Sequence, residues 1–174
     1  MIRIVTDSAA DLTAAELSAP GVTVVPMTVT FADGTSREDD GSMTKDEFFV
    51  RLAEDSKLPR TSQPSPASFM QVYEEAAAAG DEVVVITIAQ KLSGTYQCAH
   101  LAAADVGLQA HIVDSEAASQ GEALLVREAV RLRDEEGLTA EEIAAVLEQF
   151  KKRVRIVAVV DSLKHLQKGG RLPA

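Results

Sequence analysis

Residues Val83-Val84-Val85-Ile86-Thr87-Ile88 form an unbroken β-branched run. A strand that is apolar at successive positions has no face to give to water, so it belongs in a sheet covered on both sides. That makes residues 82–88 the central strand of a parallel sheet and predicts helices above and below it. The rest of the chain supplies them. Strand-like segments alternate with helix-like ones, which is the α/β pattern: a mostly parallel sheet with helices on both faces.

Residues 2–5 read as a short buried strand that ends at Thr6-Asp7-Ser8, with a short helix over 13–17. Residues 22–31 are one or two extended pieces, and Asp33-Gly34 is a hairpin-type turn. An acidic loop at 38–41 leads to Thr44-Lys45-Asp46-Glu47, a capping box. The helix behind it turns Phe48, Phe49 and Leu52 inward and stops at Pro59. Ser65 caps the next helix with Pro66 at its first position. It carries Phe69, Val72, Tyr73 and Ala76 inward and closes at Gly80. A helix to about residue 106 follows the central strand, then a strand over 110–113. A long helix runs over 120–136 to Gly137. Thr139-Ala140-Glu141-Glu142 is a second capping box, with its helix running to about residue 152. Residues 155–160 read as another buried strand, followed by Asp161-Ser162.

Composition narrows the function. The 174 residues suffice for one sizeable core, and 46% apolar with 25% charged residues suits a soluble globular domain. The net charge of −10 argues against nucleic acid or an anionic membrane surface as partner. The single cysteine, Cys98, excludes an intrachain disulfide framework. Its spacing puts it with Leu101 and Ala102 on one helix face, as a packed thiol. Residues 1–5 run straight into polar residues and are too short for a signal peptide, and no later run reaches a membrane span. The expectation is a cytoplasmic protein without membrane insertion.

Two polar loops look suited to an acidic head group. Leu92-Ser93-Gly94-Thr95 lies between the central strand and a helix, where unpaired N–H groups and a partial positive charge gather. Glycine lets a ligand approach the backbone, and the hydroxyls add donors. Thr61-Ser62-Gln63-Pro64-Ser65-Pro66 is hydroxyl-rich and stiffened by two prolines. Three strands end in a similar polar pair, at Asp7-Ser8, Asp114-Ser115 and Asp161-Ser162, and should share one rim with Ser93. As turns and caps these residues need no ligand. An enzyme on this rim is the alternative: a hydrolase or phosphotransfer domain using Ser93, Asp7, Asp114 and Asp161. Against it, the G-x-S-x-G elbow is absent because residue 91 is Lys, and D-x-D is absent after the first strand. No Cys/His spacing suggests zinc, and no nucleotide-binding glycine motif is present. Hydroxyls and amides without a nucleophile–base pair describe a binding site rather than a catalyst.

The blocks Asp7-Ser8-Ala9-Ala10-Asp11-Leu12, Pro59-Arg60-Thr61-Ser62-Gln63-Pro64-Ser65-Pro66, Leu92-Ser93-Gly94-Thr95-Tyr96-Gln97, Asp114-Ser115 and Leu166-Gln167-Lys168-Gly169-Gly170-Arg171 occur in the order and spacing of the DegV family, which the whole chain resembles. These are bacterial fatty-acid-binding proteins that serve fatty acid kinase. The resemblance implies a non-enzymatic carrier with no cofactor and no metal, whose ligand is a long-chain fatty acid. It implies that Thr61, Ser62 and Ser93 hold the carboxylate, and that a partner kinase phosphorylates it. Gly94 and Thr95, at the helix start, would add backbone donors. It further implies an α/β lipid-binding domain over residues 1–163 and a junction over 164–174, where Arg171 serves the fold or the kinase surface. The family pattern continues into a second α/β domain that closes over the acyl chain. Without it an apolar cleft stays open, and self-association would cover it.

Overall fold

A computed structural model describes residues 1–55, 57–157, 159 and 163–170. Four strands make the main sheet: β1 (Ile2–Asp7), β2 (Val22–Val25), β6 (Glu82–Thr87) and β7 (Ala110–Asp114), in the order β2-β1-β6-β7 and all parallel. A second, antiparallel sheet of three short strands runs β4-β3-β5, from β3 (Thr28–Thr30), β4 (Ser36–Glu38) and β5 (Arg60–Ser62). The Asp33-Gly34 turn joins β3 to β4, with the Phe31 N–H donating to the Thr35 carbonyl at 2.9 Å.

The continuous apolar reading of β6 is explained by the two cores. Ile4, Val84, Ile86 and Val113 pack with Leu125, Val126, Ile143 and Leu147. These helix residues lie on α5 (Gln120–Arg131) and α6 (Ala140–Phe150). Val5, Val83 and Val85 face the other way, against Phe69, Tyr73, Cys98, Ala99 and Ala102. Those residues lie on α3 (Pro66–Ala79) and α4 (Thr95–Val106). Successive strand residues point to opposite faces, so both layers of helices are served by one strand.

Helix ends follow their caps. Ser65 accepts from the Ser68 N–H with Pro66 at the first position, and Gly80 closes α3 at φ 69°. Thr13, before α1 (Ala14–Leu17), and Thr139 both form complete capping boxes. The long helix over 120–136 ends in a wider π-helical turn, Leu132–Glu136, before Gly137.

Several expectations are corrected. In α2 (Lys45–Glu54), Thr44 accepts from the Glu47 N–H, while the Glu47 carboxylate takes a hydrogen bond from Arg37 at 3.1 Å. An ion pair to β4 has displaced the reciprocal half of the box. α2 ends at Glu54, before Pro59. Phe49 is 60% exposed, because α2 offers only a narrow seam, through Phe48 and Leu52, to the rest of the protein. Leu101 is likewise exposed while Cys98 and Ala102 are buried; α4 turns Cys98, Ala99, Ala102, Ala103 and Val106 to the core. The buried strand expected at 155–160 is absent from its described residues. Residues 155–157 and 159 carry no strand, and Val157 and Val159 are 90% and 96% exposed. β7 instead forms the described edge of the sheet. Residues 164–168 form a short helix, α7 (Lys164–Lys168). Among the described residues no helix is long and apolar enough to cross a membrane.

Candidate functional site

The sheet order reverses direction between β1 and β6: the chain moves one way from β1 to β2 and the other way from β6 to β7. In open parallel sheets, ligands sit at such a switch point, beyond the carboxyl ends of the strands. A cleft of about 700 Å³ lies there, lined by Met27, Thr61, Ser62, Gln63, Ile88, Leu92, Ser93, Gly94 and Leu166. The two loops singled out from sequence thus meet in one place.

Each loop is held from its own side. Thr61 and Ser62 sit on β5, paired with Val29 and Thr28 of β3. Buried Pro64 and the Ser65 cap fix where this segment leaves. The second loop turns back on itself, with the Leu92 and Ser93 N–H groups donating to the Ala89 carbonyl at 2.8 and 3.2 Å. The Ser93 hydroxyl lies 2.8 Å from that of Thr95. Thr95 is fully buried and does not line the cleft; its N–H donates to Ser93 Oγ at 3.4 Å. The Gly94 N–H donates to Gln63 Oε1 at 3.0 Å. Both backbone donors expected to face a ligand are therefore engaged within the protein. Thr61, Ser62 and Ser93 line the cleft. Met27, Ile88, Leu92 and Leu166 give it an apolar side.

The rim carboxylates act as fasteners. Asp7 accepts from the Ala9 N–H at 3.0 Å and, through its other oxygen, from the Ile88 N–H at 2.8 Å. This ties the end of β1 to the residue after β6. Burial pushes the Asp7 carboxyl up to about 6, against the two backbone donors, which pull it down. Asp114 Oδ1 takes the Gln90 and Glu116 N–H groups at 3.2 and 3.0 Å. A smaller hollow of about 260 Å³ opens beside Asp7, with Asp11, Asp39, Asp40 and Lys45 in its wall. Asp161 and Arg171 lie outside the described residues. Among the described residues, no group of three or more His, Cys, Asp or Glu is arranged to hold a metal ion.

Two residues escaped the sequence reading. Gln63 stood in view between Ser62 and Pro64, but hydroxyls drew the argument. Glu122 gave no signal beyond a place in the first turn of α5. It is fully buried, accepts from Thr6 Oγ1 at 3.0 Å, and its second oxygen has no hydrogen-bond partner among the described residues. Burial, with the charge of Asp7 adding to it, raises its carboxyl to about 10.

Known proteins share this architecture. A DegV domain-containing protein of Caldanaerobacter subterraneus is 38% identical over 98% of this chain and 60% of its own length. The solved structure of a fatty-acid-binding DegV family protein from Thermus thermophilus superposes with a TM-score of 0.86 at 37% identity, over 98% of this chain and 60% of that one. DegV of Bacillus subtilis, described as a fatty acid binding protein, gives 0.87 at 27% identity, again over 98% and 60%. The chain thus spans about 60% of the length of the relatives it matches. The family model described as "Uncharacterised protein, DegV family" matches residues 1–174, and the chain belongs to that family.

Proposed function

We propose that this protein binds a long-chain fatty acid, with the carboxylate against Thr61, Ser62 and Ser93, and holds it for a partner kinase without catalysing a reaction itself. The observation that carries this is the convergence of hydroxyls from two distant loops on one cleft whose other side is apolar. The fatty-acid-binding neighbours from Thermus thermophilus and Bacillus subtilis support it. Thr95 serves by orienting the Ser93 hydroxyl. Residues 164–174 serve as the junction to a second domain, and Arg171 as a contact for that junction or for the kinase.

Magnitudes fit a carrier. Burying a tail is worth roughly 0.8 kcal/mol per methylene, so about fourteen give on the order of 11 kcal/mol. A hydrogen bond to a charged group adds about 1.5–3 kcal/mol, and association costs roughly 4–15 kcal/mol. The tail supplies affinity and the hydroxyls set orientation. Ser93→Ala combined with Thr61→Ala is expected to weaken fatty-acid binding at least tenfold, about 1.4 kcal/mol, by titration calorimetry. Thr61→Ala should hardly move the melting temperature, because Thr61 is exposed on β5, whereas Ser93→Ala should lower it modestly, because that hydroxyl bonds buried Thr95 at the start of α4. Unchanged affinity with a lowered melting temperature would show that the hydroxyls are structural and sink the reading.

A further inference from the structure

Gly94 has an ordinary backbone, φ −79° and ψ 8°, which any L-residue adopts. Its conformation does not call for glycine. The surrounding space does: a Cβ built there would lie 2.5 Å from Gln63 Oε1 and 2.8 Å from Gln63 Nε2. The Gln63 carboxamide therefore lies directly on the Gly94 backbone. Its oxygen accepts the Gly94 N–H at 3.0 Å. Its nitrogen donates to Cys98 Sγ, one turn into α4, also at 3.0 Å. One side chain thus spans from the residue after β5 to the turn and helix that carry Ser93. α4 has no side-chain cap of its own at Gly94, and Gln63 reaches both ends of its first turn from another element.

We infer that Gln63 is a positioning residue: it pins the Thr61-Ser62 strand to the Ser93-Gly94 turn and so sets the spacing of the hydroxyls that receive the carboxylate. The inference rests on the fatty-acid reading of this cleft. Thr61 lies on the small antiparallel sheet and Ser93 on the turn that follows β6 of the main sheet, and the β3 pairing and the Ala89 turn brace each loop from its own side. A bidentate amide between them supplies a defined separation, and a ligand bound through several hydrogen bonds is sensitive to displacements well under an ångström. Glycine at 94 is the complement of this arrangement, since it lets the amide approach.

Two readouts test the pin. Cys98 is the only cysteine in the chain and is 6% exposed, so iodoacetamide under native conditions reacts at one thiol, and each variant's rate is read beside its urea stability to separate loss of the contact from opening of the core that holds Cys98. Gln63→Ala should accelerate that alkylation about tenfold, as expected for loss of roughly one hydrogen bond's worth of protection. Gly94→Ala should do the same by pushing the amide away, and the two changes together should add little beyond either, because they break one contact. Equal rates in the unaltered protein and Gln63→Ala would overturn the pin.

The second readout compares a fatty acid with the matching fatty alcohol. Gln63→Ala should lower affinity for the acid about tenfold and that for the alcohol by no more than about twofold, since the carboxylate spans several hydroxyls and depends on their spacing while the alcohol needs only one. Gln63→Glu keeps the acceptor for the Gly94 N–H, loses the donor to Cys98, and sets a negative charge beside the incoming carboxylate. It should discriminate against the acid still more strongly. Loss of both ligands in parallel, or of neither, would overturn the positioning role while leaving the carrier reading intact. Failure of the unaltered protein to bind the acid would overturn both.

Discussion

Glu122 stands in the first turn of α5, where a helix dipole favours negative charge, yet burial overrides that preference. With its carboxyl raised to about 10, Glu122 is neutral at physiological pH. Linkage gives the sign: the folded state holds a proton that the unfolded chain releases above about 4.5, so this group's contribution falls as pH climbs from there towards 10. Each pH unit across that window costs up to about 1.4 kcal/mol. Asp7, raised to about 6, acts in the same direction over a narrower range. Glu122→Gln is therefore expected to match the unaltered protein near pH 5 and to exceed it increasingly from pH 7 to 9, by about 1 kcal/mol or more at pH 8 in urea unfolding. A variant less stable at every pH would mean that the carboxyl, rather than its shape, is needed there.

At the scale of elements, caps were the most legible part of the chain. Thr139 and Glu142 bond each other's backbone N–H groups at 3.3 and 2.9 Å, and Thr139→Ala should cost about 1 kcal/mol in chemical denaturation. No loss would show that packing of Ile143 and Leu147 alone holds α6. Such signals are local, so the sequence displays them directly. The Glu47 half of the α2 box was lost to Arg37, a residue of β4, and local reading has no access to that competitor. β4 and β5 are three residues each, too short to show a period. Residues 155–157 and 159, which carry no strand, illustrate the opposite failure. Their β-branched composition resembles that of β6, but a strand needs a neighbour, and composition does not supply one. In the site, hydroxyls and glycine were readable because their chemistry is intrinsic. Gln63 was not, because its role lies in reaching Gly94 and Cys98 across space.

At the largest scale, the described residues form a parallel sheet between two helical layers, with a small antiparallel sheet and the larger cleft beside the switch point. That plan brings hydroxyls and apolar side chains to the cleft and sets no base beside Ser93 among the described residues. Ser93 Oγ has the Thr95 hydroxyl as its neighbour, His100 is exposed on α4, and the Asp7 oxygens are each taken by a backbone N–H. The protein is expected to release no nitrophenol from p-nitrophenyl esters or p-nitrophenyl phosphate, with or without added magnesium. Turnover abolished by Ser93→Ala would replace the carrier with a hydrolase. The same plan governs how the chain is made. β1 is hydrogen-bonded to β2 and to β6, and the Met1 amino group reaches Asp81, eighty residues away. β1 thus waits for β6 before the centre of the sheet closes. Contacts of such long range slow folding and leave β-edges unpaired meanwhile. The cleft takes its walls from both sides of that seam and from Leu166, so it cannot be complete until long after β1 has been made.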